Sequence, residues 1–365
     1  MKWCKSFFLV FCCVFASSGF AEPPELADLT KLLCFLRDEI QGEQWLKWGK
    51  WAEQNSIVAD TDDFSWTQYI SKNWCFTEKP LTLEKCNEAL RLFHRKKGIE
   101  RWDQMDLSFV SNTELLKDLL DKVGVRAEIS HSDDKYDWAI IPGGALFRVE
   151  SRIKCFRTLY DKKCVEALIL AGSDRRLSKV DNKNELLPAL EEGQEVSMLY
   201  NLVNKDINTE MDGMFFMAIS MLRPDINVES ILIESAADLK SNALFDIANN
   251  AVRHGCLSVH NIPVREMAMR MSYAKGRDGS RATTMDNVAT IYKDNPEIVT
   301  KKLALISTQP HAHYQEEIFK KEFNKLGGIK NVDITVCAQP ISDSILLVEQ
   351  LNALHQWLKE SLPSS

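Results

Sequence analysis

The stretch Asp137–Ser173, DWAIIPGGALFRVESRIKCFRTLYDKKCVEALILAGS, places a helical pattern between two short apolar runs, each closed by glycine. Within it Leu146, Val149, Ile153, Phe156 and Tyr160 fall three or four residues apart, the spacing of one face of an amphipathic helix. A strand, a helix and a strand of this length form a β-α-β unit. Such a crossover joins parallel strands and is right-handed, so both strands end on the same edge of a sheet. Ligands of open α/β sheets bind at that edge. Here it carries Gly143, Gly144, Gly172, Ser173 and Asp174.

Downstream, Ser230–Glu234 (SILIE), Leu303–Ser307 (LALIS) and Val332–Val336 read as further strands. They alternate with helices expected through Asn182–Leu222, from Asp238, from near His311, and in Gln339–Leu358. Strand alternating with helix predicts an α/β fold whose mostly parallel sheet has helices on both faces. Each strand end then delivers its own polar chemistry to the shared edge: two glycines after the first, Ser173 and Asp174 after the second, Glu234 after the third, His311 after the fourth. Pro310 ahead of His311 favours a helix start there, which suits the imidazole to accept a proton or to bond an anion. The alternative role is a plain helix cap. His313 completes an H-x-H without a third ligand at matching spacing, so no metal site is assigned, and its replacement is expected to do little.

The segment 256–300 reads as an insertion between the third and fourth strands. Arg270, Lys275, Arg277 and Arg281 interleave with glycine and follow Met267, Met269 and Met271. That pattern fits a basic lid over an anion or, the favoured reading, a solvated loop above a methionine-rich helix.

Lys2 and Lys5, an apolar run from Phe7 and a small-residue stretch ending at Ala21 follow the order of a secretory signal, so export to the periplasm or beyond is expected. Residues 22–130 read as a helical accessory region: Leu29, Leu32, Leu33, Leu36 and Ile40 share one helix face, and Ser111–Glu114 suggests a capping box. Most of the nine tryptophans crowd between Trp45 and Trp102, where helix packing explains them better than a ligand platform. His94–Lys97 reads as a solvated turn. A net charge of −7 with no basic stripe argues against nucleic acid as the main partner. Export would favour disulfides, and the nearest cysteines in sequence are Cys75 with Cys86 and Cys155 with Cys164; burial as small hydrophobes is the equal alternative.

The order GG-x₃-R-x₃-R, LILAGS, ILIES with SNA, and LISTQPH-x₇-F, over about Asp137 to Leu326, resembles the bacterial SanA/YdcF-like family. The resemblance implies a Rossmann-like α/β domain over 131–365. It matches Gly143, Gly144, Arg148, Arg152, Gly172, Glu210, Glu234, Asn242, His311 and Phe319 to family positions. Relatives point to two ligand types: S-adenosylmethionine, and the lipid-phosphate carriers of the cell envelope. Export favours the second, with peripheral envelope contact, and neither glycine turn makes the G-x-G-x-x-G of a dinucleotide site. The expected partner is therefore a small-molecule or lipid-phosphate ligand, with no cofactor named. Gly143, Gly144, Gly172, Ser173, Asp174 and Asn242 would hold it, Arg148 and Arg152 would neutralise its phosphate, and Glu234 and His311 would move protons. A module that binds without turnover is the alternative.

Overall fold

The computed structural model describes residues 23–59, 65–76, 80–96, 107–130, 134–173, 210–222, 268–275, 282–341 and 345–362. With elements numbered in chain order among these residues, β1 (Tyr136–Pro142) and β2 (Val165–Ser173) lie parallel, Ile140 beside Ile169, joined through helix α6 (Leu146–Asp161). β3 (Ala268–Ala274), β4 (Leu303–Thr308) and β5 (Ile334–Gln339) complete a parallel sheet of order β3-β2-β1-β4-β5. This is the predicted Rossmann-like α/β arrangement. The order reverses beside β1, with β2 and β3 on one flank and β4 and β5 on the other, and the carboxyl edge at such a reversal is where these sheets open a crevice.

Both sheet faces are covered, which is why the strands are nearly continuous apolar runs. On one face Ile140, Ile169, Leu303 and Leu305 pack on Val288 and Ile291 of α8 (Thr284–Asp294) and on Phe319 and Phe323 of α9 (Ala312–Gly327). The opposite face holds α6 and α7 (Glu210–Leu222). Gly172 alternates with Ala171 across the strand and meets α7 there. A methyl group on it would stand 2.9 Å from Met214 Sδ and 3.1 Å from Met211 Cα. Because the second neighbour is backbone, Gly172→Ala is expected to destabilise the protein by about 1–3 kcal/mol through overpacking, read as a lower urea midpoint at unchanged slope.

One expectation is overturned. The described part of the segment 256–300 belongs to the sheet and its cover: β3 lies within it and pairs with β2 from Ala167↔Ala268 to Ser173↔Ala274, and α8 packs on both strands. Met269–Met271 is not helical. Residues 268–274, AMRMSYA, alternate in type with the period of a strand, and the neighbouring edge of β2 supplies the partner that makes this period win. The strand expected at Ser230–Glu234, the helices expected before Glu210 and from Asp238, Met267, Arg277, Arg281, Cys256 and Met1–Ala21 lie outside the described residues. No helix among the described residues is long and apolar enough to cross a membrane.

Upstream of the sheet are α1 (Leu26–Gln41), α2 (Trp45–Asn55), α3 (Trp66–Asn73), α4 (Leu83–Leu90) and α5 (Thr113–Lys122). Their core encloses Trp48, Trp51 and Trp74 around Phe93, with Trp48 and Phe93 edge to face at 5.5 Å, so these tryptophans serve packing as expected. The same core takes in Leu347, Leu351, Leu354, Trp357 and Leu358 of α10 (Leu347–Ser361). The last helix of the chain thus fills the groove between the helical layer and the α/β layer. Backbone bonds between Ile129 and Ala338 lay the connecting segment along the outer edge of β5, which shields that edge. Gln309, just past β4, donates to Gly124 O and Ala127 O at 3.0 and 2.9 Å.

Three smaller expectations change. Asn112 rather than Ser111 caps α5, through Leu115 N at 2.9 Å, while Ser111 bonds Glu39. His94 is no solvated turn residue, because its ring meets that of His355 edge to face at 5.3 Å and accepts from Gln356 Nε2. Neither nearest-neighbour cysteine pair is bridged; Cys86 is buried in the helical core while Cys75 is exposed, and Cys155 sits on α6.

Candidate functional site

Side chains of a helix lean toward its amino terminus, so arginines in the first two turns of α6 reach back to the strand ends that precede it. Arg152 does this fully. It donates to Pro142 O at 2.5 Å, to Gly143 O at 2.9 Å and to Thr308 Oγ1 at 3.2 Å. Its guanidinium therefore clasps the ends of β1 and β4 at the reversal of strand order, and only 1% of the residue is exposed. Arg148, one turn earlier, donates to Glu349 Oε1 at 2.9 Å. His311 Nε2 stands 3.0 Å from the same oxygen. Arg148 and Glu349 are buried and the His311 side chain is nearly so.

A carboxylate oxygen held by an arginine accepts, so the imidazole donates to it from Nε2. His311 immediately precedes α9 but its side chain makes no cap bond. The capping role is thereby replaced by the bond to Glu349.

On the other flank of β1, Ser173 Oγ donates to Glu210 Oε2 at 2.7 Å, both residues being buried. Glu210 opens α7 and lies against Gly143 so closely that a methyl group there would collide with its carboxylate. A side chain at 143 would thus have to displace the Glu210 carboxylate. Gly144 lies beside Arg152, where an added Cβ would stand 3.3 Å from Nη1.

Several expected roles need correction. The Gly143 N–H is spent on Ala171 O at 2.7 Å, continuing the strand pairing, and is not offered to a phosphate. Gly172 makes room for α7 rather than for a ligand. Arg148 and Arg152 bond protein oxygens, which turns them from loose anion receptors into braces of the edge. His313 is no bystander: its ring stacks on Trp357 at 4.1 Å and points toward Glu316 at 3.9 Å, into the helical layer. Asp174, Glu234 and Asn242 lie outside the described residues. The structure brings together Gly143, Gly144, Arg148, Arg152, Ser173 and His311, and adds Thr308 and Glu349, which sequence reasoning missed.

Glu349 would have needed a signal of burial. That signal was not local, because Glu349 shares the polar side of its helix with Gln356 and Glu360, and only the bond to Arg148 shows its role. Measured against known proteins, the chain matches no family model, and no curated protein and no solved structure gives a significant match.

Proposed function

We propose that the protein binds a phosphate-bearing small molecule or lipid-phosphate carrier across the Gly143–Gly144 turn, and that His311 moves a proton on it. The observation that carries this reading is the linked set His311, Glu349 and Arg148 beside the strand-order reversal. Glu349 fixes the imidazole's orientation and tautomer, and Arg148 keeps that carboxylate ionised. Arg152 places a guanidinium where β1 and β4 end, bonded to Pro142 O, Gly143 O and Thr308 Oγ1. The secretory pattern of Met1–Ala21 supports an envelope ligand over a cytoplasmic one such as S-adenosylmethionine.

Burial of both arginines among protein acceptors favours a second reading, binding without turnover. Two measurements on the parent and on His311→Gln decide. Calorimetric titration with pyrophosphate reads binding, and phosphate release from a polyprenyl diphosphate reads turnover. Glutamine still donates to Glu349 but cannot take up a proton, so the variant is expected to bind like the parent and to lose turnover by about 100-fold or more. Tight binding by a parent that releases no phosphate establishes the binding module. Absence of pyrophosphate binding in the parent overturns both readings, and equal turnover in the variant removes His311 from the chemistry.

A further inference from the structure

We propose that Ser173 and Glu210 are a nucleophile and its base, acting on the same phosphate-bearing ligand; the inference rests on that reading of the ligand. Ser173 is the last residue of β2, at the ligand edge, and its hydroxyl already donates to Glu210 Oε2 at 2.7 Å. The proton therefore lies on its transfer path. Both residues are buried, with 2% of Ser173 and 5% of Glu210 exposed.

Three glycines hold this arrangement. Gly143 lacks the methyl that would strike the Glu210 carboxylate, Gly172 admits α7 against β2 next to Ser173, and Gly213 seats α7 on Leu146. The carboxylate is thereby held between the serine and the turn over which the ligand is proposed to lie.

Ser173 and the Arg152–Thr308 contact stand at the ends of strands flanking β1 on opposite sides, roughly 10 Å apart at two strand spacings. A diphosphate lying across the glycine turn spans that gap. In the first step Oγ bonds to the terminal phosphorus, its proton passes to Glu210, and the P–O bond to the bridging oxygen breaks with its electron pair leaving on the ligand's remaining phosphate. In the second step water adds to phosphorus, His311 moving one of its protons to the released inorganic phosphate, while Glu210 returns its proton to Oγ.

A fluorophosphonate probe tests the pair without knowledge of the ligand, since an activated serine displaces its fluoride and retains the phosphonate. Peptide mapping of the labelled full chain is expected to place one adduct on Ser173 and none in Ser173→Ala. Glu210→Gln keeps an oxygen for the serine hydroxyl but cannot take its proton, so labelling should slow by about 100-fold with a melting temperature near that of the parent. Gly143→Ala, which pushes the carboxylate aside without removing it, should slow labelling likewise. An unlabelled parent, an adduct elsewhere, or labelling of Glu210→Gln at the parent rate overturns the proposal. Pyrophosphate titration of the same sample separates the two readings: intact binding without labelling removes only the serine pair, whereas labelling of Ser173 without binding supports the pair and removes the phosphate ligand.

Discussion

Replacing Arg148 with methionine is expected to cost the fold about 3–5 kcal/mol, the range for leaving one charge of a buried pair behind. Arg148 is 4% exposed and bonds Glu349 at 2.9 Å where α6 of the α/β layer meets α10. Methionine fills much of the arginine volume, so the loss is electrostatic rather than a cavity. Adding Glu349→Gln to Arg148→Met removes the stranded charge and should restore a large part of the stability. Urea unfolding of the four proteins of this double-mutant cycle measures the coupling. A single-variant cost below about 1 kcal/mol would mean that the pair is solvated rather than buried.

The second large effect is acid instability centred on His355. This residue of α10 is buried, its Nδ1 bonds Asn87 O at 3.1 Å, and burial, with the nearby His94, Lys359 and Arg91 charges, pulls its pKa down to about 3. In the unfolded chain a histidine titrates near 6.5. The unfolded state therefore takes up the proton first as pH falls, so the contribution is whole above about pH 6.5 and is lost progressively toward pH 3. By about pH 5 the loss is about 2 kcal/mol. His94 adds in the same direction, since burial and then Lys359, Arg91 and Arg95 lower its pKa as well. His355→Gln keeps a donor for Asn87 O but does not titrate. Its stability, followed by chemical denaturation from about pH 7.5 to about pH 5, should fall less steeply than the parent's by about that 2 kcal/mol. Parallel curves for the two proteins would show that His355 is not buried neutral.

The reach of sequence reasoning differed between strands for a physical reason. β1, β2 and β4 are buried on both faces, so their apolar runs stand out from any neighbouring pattern, and the glycines and proline that close them are local signals. β3 carries Arg270, Ser272 and four small or flexible residues, and its strand character depends on pairing with β2, a contact made across about a hundred residues of chain. The site divides in the same way. Gly143, Gly144, Ser173 and His311 follow strands directly and could be placed on the edge from chain order. Thr308 could have been placed there too, as it ends β4, but only Arg152 shows what it does.

Local pattern alone determined the α/β class, the parallel sheet and the edge on which its strands end, because strand and helix periodicities are properties of neighbouring residues. Tertiary structure decided what the edge residues do. Glu349 meets Arg148 and His311 from about two hundred and about forty positions away, and Glu210 reaches Ser173 only because glycines at 143, 172 and 213 let α7 come close. Buried charge has to find a partner wherever the chain brings one, and that partner's sequence distance is set by the packing of layers, which no local period records.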